Sequence, residues 1–329
     1  MEEQNIEFNT ALQPDINLLN QRVLRIKQEI GKAVVGQENI IDLMLAGIFT
    51  GGHILLEGVP GIAKTLTAKL IAKSLSVSFS RIQFTPDLMP TDVTGTTVFN
   101  VKNSEFSFNK GPVFANLVLI DEINRAPAKT QSSLFEVMEE RQITVDGITY
   151  PMDFPFLVIA TQNPIEQEGT YRLPEAQLDR FLFRLKLKYP TLEQEVSILQ
   201  RFKNDFTLKV VDSVQAVISK EELRHCQELI EKIHIKDEII TYIAKLIDNT
   251  RNNGDLMLGA SPRASLSIMR ASKAIAAMNG RDFVTPDDVK YVAYPVLNHR
   301  IILTAEREME GIEAEDIIKE IAEKIDIPR

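Results

Sequence analysis

The chain has 329 residues, 44% of them hydrophobic, with 37 Lys and Arg against 46 Asp and Glu for a formal net charge of −9. That length allows a large module plus a smaller one, each with its own core. The acidic balance argues against affinity of the whole surface for nucleic acid or an anionic membrane, leaving only a local basic channel open.

The first ten residues, MEEQNIEFNT, are acidic and lack the basic start and apolar run of a secretory signal. Residues 1–30 as a whole are weakly amphipathic and carry little signal. Asp42 interrupts the apolar run NIIDLMLAGIF (39–49), and no stretch approaches the ~18 apolar residues of a membrane span, so no membrane insertion is expected. The four histidines show no metal-ligand spacing.

From Gly52 onward, short apolar runs alternate with helical patterns. HILLE (53–57), FSRIQF (79–84), LVLI (117–120), FLVIA (156–160) and FLFRLKL (181–187) read as strands, with KTLTAKLIAKSL (64–75) and KTQSSLFEVMEERQ (129–142) as helices among them. The alternation predicts an α/β domain with a largely parallel sheet. Two strand-prone segments read as inserted surface hairpins: residues 94–114, turning in VKNSEF, and QITVDGITY (142–150), turning at Asp146-Gly147, where both positions need positive φ. After KYPTLEQ (188–194) the pattern is almost entirely helical. Helix starts are predicted at Ser261-Pro262, ending at Gly280, and at Thr285-Pro286. The expected domains are therefore 1–189, α/β, and 190–329, helical. Cys226, the single cysteine, falls on a helix face as a small core residue, excludes an intrachain disulfide and fits a reducing, cytoplasmic compartment.

Chemistry concentrates at the ends of the predicted strands. In GVPGIAKT (58–65), Gly58, Gly61, Lys64 and Thr65 match four of the five fixed positions of a phosphate loop, with Ala63 where the template has glycine. Such a loop aims backbone N–H groups at phosphate oxygens from a helix N-terminus, with Lys64 on the β and γ phosphates and Thr65 on Mg²⁺. The competing reading is a Gly-Pro turn with an exposed lysine. In NLVLIDEINRAP (116–127), Asp121 and Glu122 stand at the carboxyl end of an apolar strand, where open α/β sheets bind their ligands. Asp121 suits the Mg²⁺ shell and Glu122 suits orienting an attacking water. FLVIATQNP (156–164) ends another strand in Asn163, whose amide could reach a phosphate or that water, although Asn-Pro also starts ordinary turns. Arg180 precedes the last strand, with a local ion pair to Asp179 as the bland alternative. Arg263, in the first turn of the helix starting at Ser261, opposes the helix dipole and is either solvated or shares that helix end with an anion.

Together these elements resemble an AAA+ ATPase, and within that group the MoxR family. The resemblance runs through VVGQ (34–37), GVPGIAKT (58–65), GPVFANLVLIDEINRAP (111–127), LFEVMEERQITVDG (134–147), ATQNPIEQEGTYRLPEAQLDRF (160–181) and SPRA (261–264). It implies a P-loop NTPase fold, a five-stranded parallel sheet followed by a helical lid, with ATP and Mg²⁺ as cofactors. By position it places Val35 and Gly36 beside the adenine, and Gly58, Val59, Pro60, Gly61, Ile62, Ala63, Lys64, Thr65 and Leu66 around the phosphates. It makes Asn163 sensor 1, Arg180 an arginine finger acting on a neighbour's site, and Arg263 sensor 2 from the lid. Residues 94–110 become the helix-2 insert and the Asp146-Gly147 hairpin the one preceding sensor 1. An alanine before the phosphate-loop lysine also occurs in helix-2-insert relatives, including minichromosome maintenance helicases.

The resemblance further implies a homo-oligomeric, hexameric ring that remodels, matures or metal-loads client proteins, often with a partner carrying a von Willebrand factor A domain. Two rival functions are a nucleic-acid motor, disfavoured by the acidic Asp146-Gly147 turn and by Glu105 beside Lys102, and a nucleotide-gated scaffold with little turnover, disfavoured by the presence of Glu122 and Arg180.

Overall fold

The computed structural model describes residues 12–59, 61–102, 104–164, 170–204 and 209–327. Its contacts divide the chain into two compact units, Ile26–Leu223 and a second made of Met1–Arg25 with Arg224–Arg329. This cut differs from the one expected near residues 189–191. The helix that follows Thr191 and the start of the next one belong by contacts with the sheet, and the beginning of the chain counts with the helical unit.

In chain order the regular elements are α1 (Gln13–Gly31), α2 (Glu38–Phe49), β1 (His53–Glu57), α3 (Lys64–Ser74), β2 (Phe79–Gln83), α4 (Pro90–Thr94), β3 (Gly95–Asn100) and β4 (Glu105–Lys110). They continue with β5 (Leu117–Asp121), α5 (Ala128–Glu140), β6 (Gln142–Val145), β7 (Ile148–Pro151), β8 (Leu157–Gln162), α6 (Glu175–Leu178), β9 (Phe181–Lys186), α7 (Leu192–Phe202) and α8 (Lys220–Glu231). The last are α9 (Asp237–Arg251), β10 (Leu256–Leu258), α10 (Pro262–Met278), α11 (Pro286–Leu297), β11 (Ile302–Leu303), α12 (Ala305–Met309) and α13 (Ala314–Lys324).

Five strands form one sheet in the order β2-β5-β8-β1-β9, and every neighbouring pair is parallel. Near-continuous apolar runs form β1, β5, β8 and β9 because both faces of a parallel sheet are covered by helices, while the edge strand β2, FSRIQ, is only partly buried. On one face Leu55, Ile82, Val118, Ile120, Val158 and Phe181 meet Val93 of α4 and Leu134, Phe135 and Met138 of α5. On the other, α2 lies so close that a Cβ at Gly47 would come within 2.8 Å of Ile54 Cδ1. Both inserted hairpins are present as two-stranded ribbons, β3-β4 and β6-β7. The β6-β7 turn has positive φ at both Asp146 and Gly147, as that dipeptide requires.

In the second unit, α10 packs against α9 and α11, and α13 packs against α9 and α11. Thr285 caps α11 through a reciprocal box in which Thr285 N donates to Asp288 Oδ2 at 2.8 Å. Ser261 does precede α10, but its hydroxyl makes no cap and is buried without a partner. The short β10-β11 ribbon interrupts a stretch expected to be helical. α1, which the sequence left undefined, has its stripe Ile16, Leu19, Val23, Ile26 and Ile30 fully or almost fully buried. Among the described residues, no helix is long and apolar enough to cross a membrane.

His53 opens β1 inside the core. Val158 N donates to its Nδ1 at 2.9 Å and its Nε2 meets Met138 O at 3.1 Å, so Nε2 carries the proton and the ring is neutral. Burial pushes its pKa from 6.5 down to about 4. The unfolded chain therefore binds a proton that the native one refuses, and this contribution to stability, complete above pH 6.5, is lost as pH falls toward 4. At pH 5 the loss is about 2 kcal/mol. Urea unfolding of wild type and His53→Leu at pH 7.5 and pH 5 should show the gap between them narrowing by that amount on acidification, and a pH-independent gap would refute the assignment.

Candidate functional site

The carboxyl ends of β1, β8 and β5 lie side by side, and the loop after β1 is pinned from both flanks. Gly58 N donates to Gln162 O of β8 at 3.2 Å, and Leu187 N, just past β9, donates to Glu57 O at 2.7 Å. Glu57 is buried at the strand end and held by Arg184, with Nε on Oε2 at 2.8 Å and Nη2 on Oε1 at 2.9 Å. A Cβ on Gly58 would fall 2.5 Å from Ile62 Cδ1 and 3.1 Å from Leu187 O, so only glycine lets the loop close here. Gly61 has φ +87 with open space around it. Ala63 sits at φ 60, ψ 21, the left-handed conformation that glycine adopts without strain. Pro60 lies outside the described residues.

α3 starts immediately after Ala63 with no side-chain cap and no acid in its first turn, so its first N–H groups face outward unneutralised. Lys64 Nζ folds back onto Gly58 O at 2.6 Å. Burial lowers the Lys64 pKa, against the opposing pull of Asp121, Glu122 and Glu57. A polyanion at this loop would relieve both the helix end and the desolvated ammonium.

Asp121, 7% exposed, ends β5. Its Oδ1 accepts from Thr161 Oγ1 at 3.2 Å, and its Oδ2 faces Thr65 Oγ1 at 3.4 Å and Arg81 Nε at 2.6 Å. Glu122 leaves the strand in the left-handed region at φ 58, with its N–H donating to Thr161 Oγ1 at 3.0 Å. The hydroxyl of Thr161 thus ties both acids to β8. Glu122 Oε2 accepts from Gln83 Nε2 at 2.9 Å and pairs with Arg125 Nε at 2.8 Å. Asn163 follows β8 directly, next to the residue whose carbonyl holds Gly58.

Beside the loop lies a cavity of about 350 Å³ lined by Val34, Val35, Gly36, Gly61, Ala63 and Leu66, and closed by Tyr189 with Ile198 and Phe202 of α7. Gly36 has φ +75, a conformation that favours glycine, and a Cβ there would displace the end of the Gln194 side chain of α7. Gln37 Nε2 donates to Ile62 O at 2.9 Å and fastens the segment to the phosphate-loop candidate.

Arg180 is not brought into this cluster. Its Nη1 donates to Phe135 O at 2.7 Å and stands 3.5 Å from Glu139 Oε2, so it docks on α5. Arg263 is exposed in the first turn of α10, in the other unit. Conversely, Arg81, Gln83, Arg125, Thr161 and the cavity residues of α7 were not predicted. Arg81 and Gln83 alternate with Ile82 and Phe84 and so share one face of β2, but only the pairing of β2 with β5 brings that face to the acids. The donors present fit the expected ligands: an uncapped helix start, an open glycine and a half-buried lysine for phosphate, and the Thr65 hydroxyl with the Asp121 carboxylate for a hard divalent cation.

Residues 53–183 match the family described as ATPases associated with various cellular activities, and residues 248–321 match the AAA lid domain. Chaperone MoxR1 of Mycobacterium tuberculosis is 41% identical over 97% of this chain and 85% of its own length. YeaC of Bacillus subtilis is 44% identical over 92% of this chain and 93% of its own. A crystal structure of a protein from Cytophaga hutchinsonii aligns with TM-score 0.89 and 45% identity, covering 97% of this chain and 98% of that one. The sheet with its flanking helices, the helical lid and these relatives converge on one conclusion: the chain belongs to the MoxR family of AAA+ ATPases.

Proposed function

We propose that the protein binds Mg²⁺-ATP at the carboxyl ends of β1 and β5 and hydrolyses it within a homo-oligomeric ring, converting turnover into chaperone-like remodelling or maturation of client proteins. The observation that carries this reading is the meeting of Thr65 Oγ1 and Asp121 Oδ2 at 3.4 Å, with the uncapped start of α3 on one side and Glu122 on the other. The backbone N–H groups of Gly61 to Leu66 cradle the phosphates, and Lys64 exchanges Gly58 O for a phosphate oxygen. Thr65 and Asp121 hold Mg²⁺, which when bound offsets charge on the phosphate oxygens. Glu122, released from Gln83 and Arg125, accepts from the attacking water, while Asn163 donates to phosphate or water. Val35 and Gly36 take the adenine in the cavity beneath α7.

Arg180 acts in a neighbouring subunit's site, which agrees with its docking on α5 instead of the loop. Arg263 serves as sensor 2 from the lid, 190–329 in the expected division. The client, a partner with a von Willebrand factor A domain and the hexameric count follow from the family resemblance, and the printed name of the mycobacterial relative supports chaperone work. A cytoplasmic setting accords with the buried thiol of Cys226. The motor alternative would want basic hairpin tips, yet Glu105 accompanies Lys102 and Asp146 is engaged by Thr97 Oγ1 at 2.7 Å.

Glu122→Gln should bind ATP as wild type does while turnover drops by about 100-fold or more; wild-type turnover would remove Glu122 from the chemistry. Arg180→Ala should bind ATP normally and lose about 10³ in rate, regaining activity when mixed with Glu122→Gln subunits that lend it an arginine. Loss of ATP binding by the isolated Arg180→Ala subunit would place the residue in its own site instead. Ala63→Gly removes a side chain from a left-handed position and should stabilise the protein by about 1 kcal/mol with ATP affinity within a few-fold of wild type. A large gain in affinity would mean that the natural loop is impaired.

A further inference from the structure

Arg81 on edge strand β2 reaches the metal-ligand candidate of the next strand. We propose that Arg81 is an internal counter-cation: it holds Asp121 Oδ2 and competes there with a divalent cation, so Arg81 sets how much metal the site requires. The inference rests on the assignment of Asp121 and Thr65 as metal ligands.

The geometry is competitive. Asp121 Oδ1 is committed to Thr161 Oγ1, which leaves Oδ2 as the oxygen facing Thr65 Oγ1, and that is the atom Arg81 Nε holds at 2.6 Å. The Asp121 side chain is only 10% exposed, so its charge is poorly hydrated and benefits from a cation in the absence of metal. The Arg81 side chain is 52% exposed, which gives the guanidinium a route into water when it leaves. Two cations on one carboxylate oxygen repel, so the metal and Arg81 compete there. Arg81 Nη2 also donates to Gln83 Oε1 at 3.2 Å, and Gln83 Nε2 holds Glu122 Oε2 at 2.9 Å. Departure of Arg81 takes away the donor that orients the Gln83 amide, linking occupation of Asp121 to release of Glu122.

A purely orienting arginine makes the opposite prediction, because its removal would slacken Asp121 and weaken metal binding. Mn²⁺ binding, followed by electron paramagnetic resonance of the free ion with a non-hydrolysable ATP analogue present, separates the two without relying on turnover. Arg81→Gln should bind Mn²⁺ about five-fold more tightly than wild type, the scale of one half-exposed charge-assisted pair, and Arg81→Lys should stay near wild type. Unchanged or weaker binding by Arg81→Gln would overturn the proposal. Asp121→Asn reports on the underlying assignment: it should weaken Mn²⁺ binding strongly and abolish the effect of Arg81→Gln, whereas wild-type affinity would sink the ligand assignment itself. Melting temperature gives a second readout if Arg81→Gln is fragile without metal: Mn²⁺ with the analogue should raise its midpoint more than that of wild type, and an equal or smaller rise counts against competition.

Discussion

The position of β1 between β8 and β9 governs the rest of the structure. The chain leaves β1 for the far edge of the sheet at β2, returns through β5 and β8, and then crosses β1 to place β9 on its other side. At such a reversal the loops leaving neighbouring strands part in opposite directions and open a crevice at the carboxyl ends. Here the crevice receives the glycine loop from β1, the acid pair from β5 and Asn163 from β8. The Gly58 N to Gln162 O bond and the Thr161 hydroxyl, shared by Asp121 and the Glu122 backbone, fix these three strand ends to one another.

Electrostatics follow from this crowding. Glu57, Asp121 and Glu122 bring three carboxylates to one end of the sheet, and each is met by an arginine: Arg184, Arg81 and Arg125. Buried acids without such partners would be costly. The protein thus holds its acids with its own cations and its lysine with a loop carbonyl. The left-handed residues Ala63 and Glu122 sit at the two turns that present these groups.

Much of this was legible in the sequence, for identifiable reasons. The central strands of the sheet are short apolar runs, so HILLE and LVLI mark β1 and β5 directly, and Asp146-Gly147 marks its hairpin through the φ it demands. The phosphate-loop and acid strings are contiguous, which makes their chemistry readable residue by residue. What escaped depends on long-range contact. Arg81 and Gln83 become site residues only because β2 pairs with β5, a neighbour far along the chain. The division after Leu223 escaped because α7 looks, from composition, like the first helix of the helical part, while its inner face closes the cavity over Gly36. α1 escaped because its buried stripe is spread through a polar helix.

The central claim is that the backbone between Gly61 and Leu66 is a preformed phosphate cradle at the start of α3. Hydrogen exchange of those amides, with and without a non-hydrolysable ATP analogue and Mg²⁺, tests it most directly. The account predicts slowed exchange across Gly61 to Leu66 on ligand addition. Saturating analogue that leaves those amides exchanging as before would contradict it.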